Sequence, residues 1–167
     1  KQDFYEEALH RFIALLDNKV STGYDFAQTG NELERKRVDD TFRVISQSFS
    51  YLGGADSVMK YFDHYGKRSY EDSVYRNLGE FYVDKRRYSD ATASYNAFIK
   101  RNPFHKVAPQ FHMRVIEIHM TGGFPSLVIE AKKEFARNYG LKADYWKYFE
   151  PGARPEVLGF LKTNFTD

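Results

Sequence analysis

Cysteine is absent from the 167 residues, which excludes disulfides, thiolate nucleophiles and cysteine-ligated zinc. The redox compartment stays open, because exported proteins also do without cysteine. No apolar run approaches the roughly 18 residues that a bilayer-spanning helix needs, and no basic start leads into an apolar stretch with a small-residue cleavage site. An excess of one charge is lacking too: 25 Lys and Arg face 23 Asp and Glu, for a formal charge of +2, with the signs interspersed. A nucleic-acid partner is therefore not expected, since its electrostatic footprint is missing. The glycine pairs Gly53-Gly54 and Gly122-Gly123 stand outside any G-x-G-x-x-G or G-x4-G-K-[ST] context, so no phosphate cradle is expected.

What is plentiful is aromatic side chains, with 15 Phe, 13 Tyr and 1 Trp making 17% of the chain. Rings in such number fill the space between packed elements. Helical periodicity dominates and no strand pair stands out. Phe4, Ala8, Leu9, Phe12, Ile13 and Leu16 mark one helix face over residues 3–18, and the turn-forming stretch 17–31 reads as a loop. A helix from Glu32 to Leu52 is stopped by Gly53-Gly54, and another spans Ala55 to about Tyr65. Asp72 is the expected N-cap of a helix carrying Tyr75, Leu78, Tyr82 and Val83, which turns at Lys85-Arg86-Arg87 into one carrying Ala91, Tyr95 and Phe98. Asn102-Pro103 ends that helix, Pro109 starts the next, and Pro125 opens the one after it. Shorter helices are expected at 143–149 and 155–165, separated by Pro151-Gly152.

Paired helices of this length direct attention to internal repeats. Tyr75, Leu78, Gly79 and Tyr82, then Ala91 and Tyr95, then Pro103, reproduce the spacing W-x2-L-G-x2-Y, A-x3-F, P of the tetratricopeptide repeat, with Tyr standing for both Trp and Phe. The small residues let two helices approach, the rings fill between them, and Pro103 forces the turn into the next unit. Degenerate copies flank this repeat, giving expected repeats at 39–71, 72–107 and 108–141 with helices 3–18 and 143–165 at the ends. The expected fold is all-α: one tetratricopeptide-type domain over 1–167, a right-handed superhelical solenoid of helical hairpins. The chain opens at Lys1 without a Met and is helical in pattern almost at once, so a piece of a longer protein is expected.

Asn77-Leu78-Gly79-Glu80-Phe81-Tyr82-Val83-Asp84-Lys85-Arg86-Arg87-Tyr88, Arg101-Asn102-Pro103-Phe104-His105 and Gly122-Gly123-Phe124-Pro125 resemble multi-repeat tetratricopeptide proteins of the Gram-negative cell envelope. They are similar to the repeats of the periplasmic lipoprotein of outer-membrane assembly. The resemblance runs from about Glu32 to Phe165 and implies a periplasmic or envelope-associated scaffold. In such repeats the first helix of each hairpin lines a concave groove. Transferred by position, the groove would hold Asp40, Arg43, Gln47, Ser50 and Tyr51, then Ser73, Arg76, Glu80, Val83 and Asp84, then Pro109, His112, Ile116, His119 and Met120. Arg43 and Arg76 are the candidates for pinning a carboxylate and Tyr51 for supplying contact area. Each is also an ordinary choice for a solvated helix face.

Catalysis finds no support. His112 and His119 share a face but stand two turns, about 10 Å, apart, too far for one metal ion without a third element. With His105 they could instead respond to pH. The pairs Asp39-Asp40 and Glu71-Asp72 point about 100° apart and do not converge on one substrate. Tyr145, Trp146, Tyr148 and Phe149 form either a ligand platform or, more in keeping with the fold, a cover for the end of the array. The expected function is a protein-interaction scaffold holding a peptide or protein segment, not an enzyme, with no cofactor or metal. The alternative is a structural spacer whose partners bind elsewhere.

Overall fold

Leu9, Ile13 and Leu16 are the residues that α1 (Gln2–Ser21) buries. Phe4 was expected on the same face but is 68% exposed. At about 100° per residue it stands some 140° round the helix from Leu9, so the two cannot share one face. The helix also runs past residue 18 into the stretch expected as loop. Its last turn is closed by hydroxyls, Ser21 donating to the Asn18 carbonyl at 2.6 Å and Thr22 to that of Lys19 at 2.7 Å. Tertiary partners hold the same turn: Asp17 accepts from Arg68 Nε at 2.9 Å and from the Tyr70 hydroxyl at 2.5 Å, and Lys19 reaches Glu34 at 2.6 Å. Burial, first, and then the bond to Asp17 push the Tyr70 phenol far above its ordinary range.

The structure is a computed structural model that describes residues 1–26, 30–148 and 154–165. All its elements are helices; among the described residues there is no strand. Nor is any helix there long and apolar enough to cross a membrane. The chain falls into two compact units, Lys1–Lys85 and Arg86–Asp167. That boundary lies in the turn where Arg86 takes the left-handed φ of 59°. It divides the expected repeat 72–107 between the two units.

In the first unit, Asn31 opens α2 (Glu32–Leu52), its side chain accepting from the Glu34 amide at 2.7 Å. Val38, Phe42, Ile45 and Phe49 face inward. Gly53 and Gly54 turn the chain into α3 (Ala55–Tyr65), which buries Val58 and Phe62. The next helix, α4 (Glu71–Asp84), starts one residue before Asp72. Asp72 is therefore in the first turn rather than at the cap, and Glu71 instead accepts from the Arg68 amide at 3.2 Å. Val74, Tyr75, Leu78, Gly79 and Tyr82 are buried. Helix α2 packs against α1 and against α4, and more lightly against α3. Phe26, just after α1, sets its ring against Phe42 and Tyr70 at 5.6 and 5.5 Å.

Gly54 occupies φ 77°, ψ −137°, and a Cβ there would meet the Tyr82 hydroxyl at 2.8 Å. Gly54→Ala is expected to cost about 1–3 kcal/mol, since only glycine adopts this backbone without strain. A lowered urea midpoint followed by far-UV circular dichroism checks it; an unchanged midpoint would show that the turn relaxes freely.

In the second unit, α5 (Tyr88–Arg101) buries Ala91, Tyr95 and Phe98 and packs on α6 (Ala108–Gly122) through Phe111, whose ring lies 4.9 Å from Tyr95 and 5.1 Å from Phe98. Helix α7 (Pro125–Tyr139) returns along α6 and buries Phe135 and Tyr139. A short α8 (Tyr145–Tyr148) and α9 (Arg154–Phe165) close the unit. Within the described residues α8 is shorter than the expected helix 143–149; Phe149 and Pro151-Gly152 lie outside those residues. Ala108, Ile116, Phe135, Tyr139, Tyr145 and Val157 form one core here.

Candidate functional site

On α2, Asp40, Arg43, Gln47 and Tyr51 fall three or four residues apart, so they form one stripe opposite Val38, Phe42, Ile45 and Phe49. All four are exposed. Arg43 meets Asp40 at 3.0 Å, with its side chain 71% exposed. A pair so open to water contributes under about 1 kcal/mol. Exchanging Asp40 for another carboxylate would thus cost the protein little. Tyr51 stacks on Tyr5 of α1, ring centroids 4.1 Å apart and planes at 26°. Sequence reasoning missed Tyr5. It stands four residues before Leu9 and so continues the buried face of α1 into the first turn, where the packing of α1 on α2 brings the two rings together.

On α4 the corresponding stripe is Asp72, Arg76, Glu80 and Asp84. Arg76 reaches Asp72 at 3.6 Å and is half-exposed, Glu80 is half-buried and Asp84 is exposed. Ser73, expected among the groove positions, is instead buried. At about 100° per residue Ser73 falls on the side of Glu80 and Asp84, opposite Tyr75, Leu78 and Tyr82, so its burial does not follow from the period of α4. Its backbone carbonyl accepts from the Asn77 side chain at 2.7 Å.

The α6 positions depart furthest from expectation. Pro109, His112 and Ile116 are buried, His119 is half-buried, and only Met120 is well exposed. Helix α6 has α5 on one side and α7 and α9 on others, leaving little of its circumference open. His112 sits against the Tyr139 ring at 5.2 Å, and its Nδ1 is buried without a hydrogen-bond partner. Burial lowers its pKa to about 4, so the ring is neutral at pH 7, and burial lowers that of His119 as well. His112 is therefore a core residue and not a groove contact. Among the described residues no three His, Asp or Glu gather where a metal ion could bind.

Tyr145 and Trp146 of α8 are structural rather than a platform. Tyr145 is buried, its hydroxyl donating to the His105 carbonyl at 3.1 Å. Trp146 Nε1 donates to the carbonyls of Tyr139 at 3.0 Å and Gly140 at 2.8 Å, closing the end of α7.

No family model matches the sequence, and no curated protein or solved structure matches it significantly. The site is thus read from its own chemistry: an exposed stripe on α2 and a mostly half-buried one on α4 that together carry both signs of charge, an amide and a phenol, and among them no converging nucleophile and base.

Proposed function

We propose that the chain is a protein-binding module of tetratricopeptide type that holds a peptide or protein segment against the open faces of α2 and α4, within an assembly of the bacterial cell envelope. One observation carries the reading. The α2 stripe pairs a weakly held, 71% exposed Arg43 with a Tyr51 stacked on Tyr5, an arginine and an aromatic anchor, the residue types on which interfaces concentrate their binding energy. Support for the repeat type comes from the seven-position motif of 75–103 and from α2 packing on α4 with α3 intervening in sequence. Stacked hairpins require that contact between successive first helices. The envelope location rests on resemblance alone. Because His112 and Ile116 are buried, the proposed groove is confined to the first unit.

The test is retention of proteins from a Gram-negative envelope extract by the native chain and by an Arg43→Glu, Arg76→Glu variant, with circular dichroism verifying the fold. Reversing both charges is expected to weaken a carboxylate-bearing ligand by about 100-fold or more, from roughly tenfold per charge-assisted hydrogen bond. A protein retained by the native chain and lost from the variant supports the reading. Equal retention by both, or none by either, moves the spacer function ahead.

A further inference from the structure

Beside the two stripes, the first unit carries a cleft of about 350 Å³ between α1, the end of α2 and α3. Its inner wall is apolar, formed by Leu9 and Phe49, both fully buried, with the half-buried Leu52 beside them. Its outer wall is aromatic. Tyr61 lies 4.7 Å from Tyr65 and 5.8 Å from Phe49 between ring centroids, and His10 stands edge-on to Tyr65 at 4.6 Å. The Tyr61 hydroxyl is 3.2 Å from His10 Nδ1, which fixes the two rings relative to each other. Burial, above all, pushes the Tyr61 phenol up to about 12, so this ring keeps its hydroxyl proton at neutral pH.

The lining includes one acid, Glu6, and one base, Lys60. Their charges cancel, so the cleft favours neither a cation nor an anion. The volume sits at the small end of ligand pockets, enough for one large side chain and too little for an extended cofactor. Rings presented edge and face at 4.6–5.8 Å accept a further ring in the same geometry. Glu6 meanwhile offers an acceptor to an indole N–H or a phenol O–H.

We infer that this cleft is a docking pocket for a single uncharged aromatic side chain, tryptophan or tyrosine, presented by a protein partner. It is separate in residues from the α2 and α4 stripes, although Tyr51 adjoins Leu52 in the chain, so one ligand crossing the stripe and turning its anchor into the cleft would use both.

The experiment is an NMR titration of the intact isotope-labelled chain with N-acetyl-tryptophanamide, N-acetyl-tyrosinamide and N-acetyl-lysinamide. Saturable shifts at His10, Tyr61 and Tyr65 are expected with the first two, at a Kd on the order of 1 mM as befits a fragment. Tyr65→Ala, at a side chain that is 48% exposed, is expected to weaken them about three- to tenfold, the worth of one aromatic pair. His10→Ala serves as a second variant should the first alter the fold. The Arg43→Glu, Arg76→Glu variant should bind the probes unchanged, which separates this site from the groove. Tighter binding of the lysine probe would make the cleft a cation cage and overturn the inference, as would shifts that grow linearly without saturating.

Discussion

Phe135→Ala is expected to destabilise the second unit by about 3–5 kcal/mol, the usual range for emptying a fully buried phenylalanine site. The ring is 0% exposed and lies 4.8 Å from Tyr139 and 4.5 Å from Phe160, so its loss strips contacts from both α7 and α9 at once. Against the 5–15 kcal/mol typical of a whole domain, such a loss is a large share of what is available. The readout is specific to this unit, because Trp146 is the single tryptophan and is bonded to the end of α7. Urea unfolding followed by its fluorescence should show the midpoint falling steeply. Leu127→Ala on the same helix, at a side chain 47% exposed, should shift it by under about 0.5 kcal/mol. Similar losses in the two variants would mean that the α7 core is not packed as described.

The second large effect is one of pH. His112 is 7% exposed, its Nδ1 has no partner, and burial lowers its pKa from the ordinary 6.5 to about 4. Its neighbour Tyr139 is held neutral as well, burial raising its phenol far above the ordinary range. The folded state thus takes up the His112 proton later than the unfolded chain does. Stability from this site is complete above the unfolded pKa of 6.5, declines as the pH falls below it, and levels off below about 4. A shift of that size corresponds to about 3 kcal/mol, in order of magnitude. His119, shifted in the same direction, adds to the trend. Denaturation followed by Trp146 fluorescence at pH 7.5, 6.5, 5.5 and 4.5 should show the decline in the native chain, and a shallower one in His112→Leu. Parallel curves for the two proteins would remove His112 as the cause.

Both predictions concern residues that the sequence left unmarked or misplaced, and the reason is the same. A hydrophobic period locates the inward face of a helix only relative to one neighbour. For α2 that sufficed, because its neighbours α1, α3 and α4 all leave the stripe opposite Phe42, Ile45 and Phe49 open, with Arg43, Gln47 and Tyr51 outward. For α6, packed by α5, α7 and α9, several faces are covered, and a position transferred as open becomes core. His112 has no signal in the chain that distinguishes these cases, because histidine is common on both sides. Helix starts depended on chemistry of different visibility. Asn31 capping Glu34 and the Pro residues opening α6 and α7 are local and legible. The extension of α1 to Ser21 rests on Arg68 and Tyr70 reaching back to Asp17, bonds that a local reading of turn formers does not contain.

What the sequence determined by itself is the all-helical class and the position of most helices, because apolar period, proline and glycine act within a few residues along the chain. The placement of Tyr5 on Tyr51, the closing of the aromatic cleft around Tyr61 and the burial of His112 were decided only by tertiary packing. In each case the deciding partner is distant in sequence, and whether a side chain meets water or another ring depends on which helices come to lie beside it.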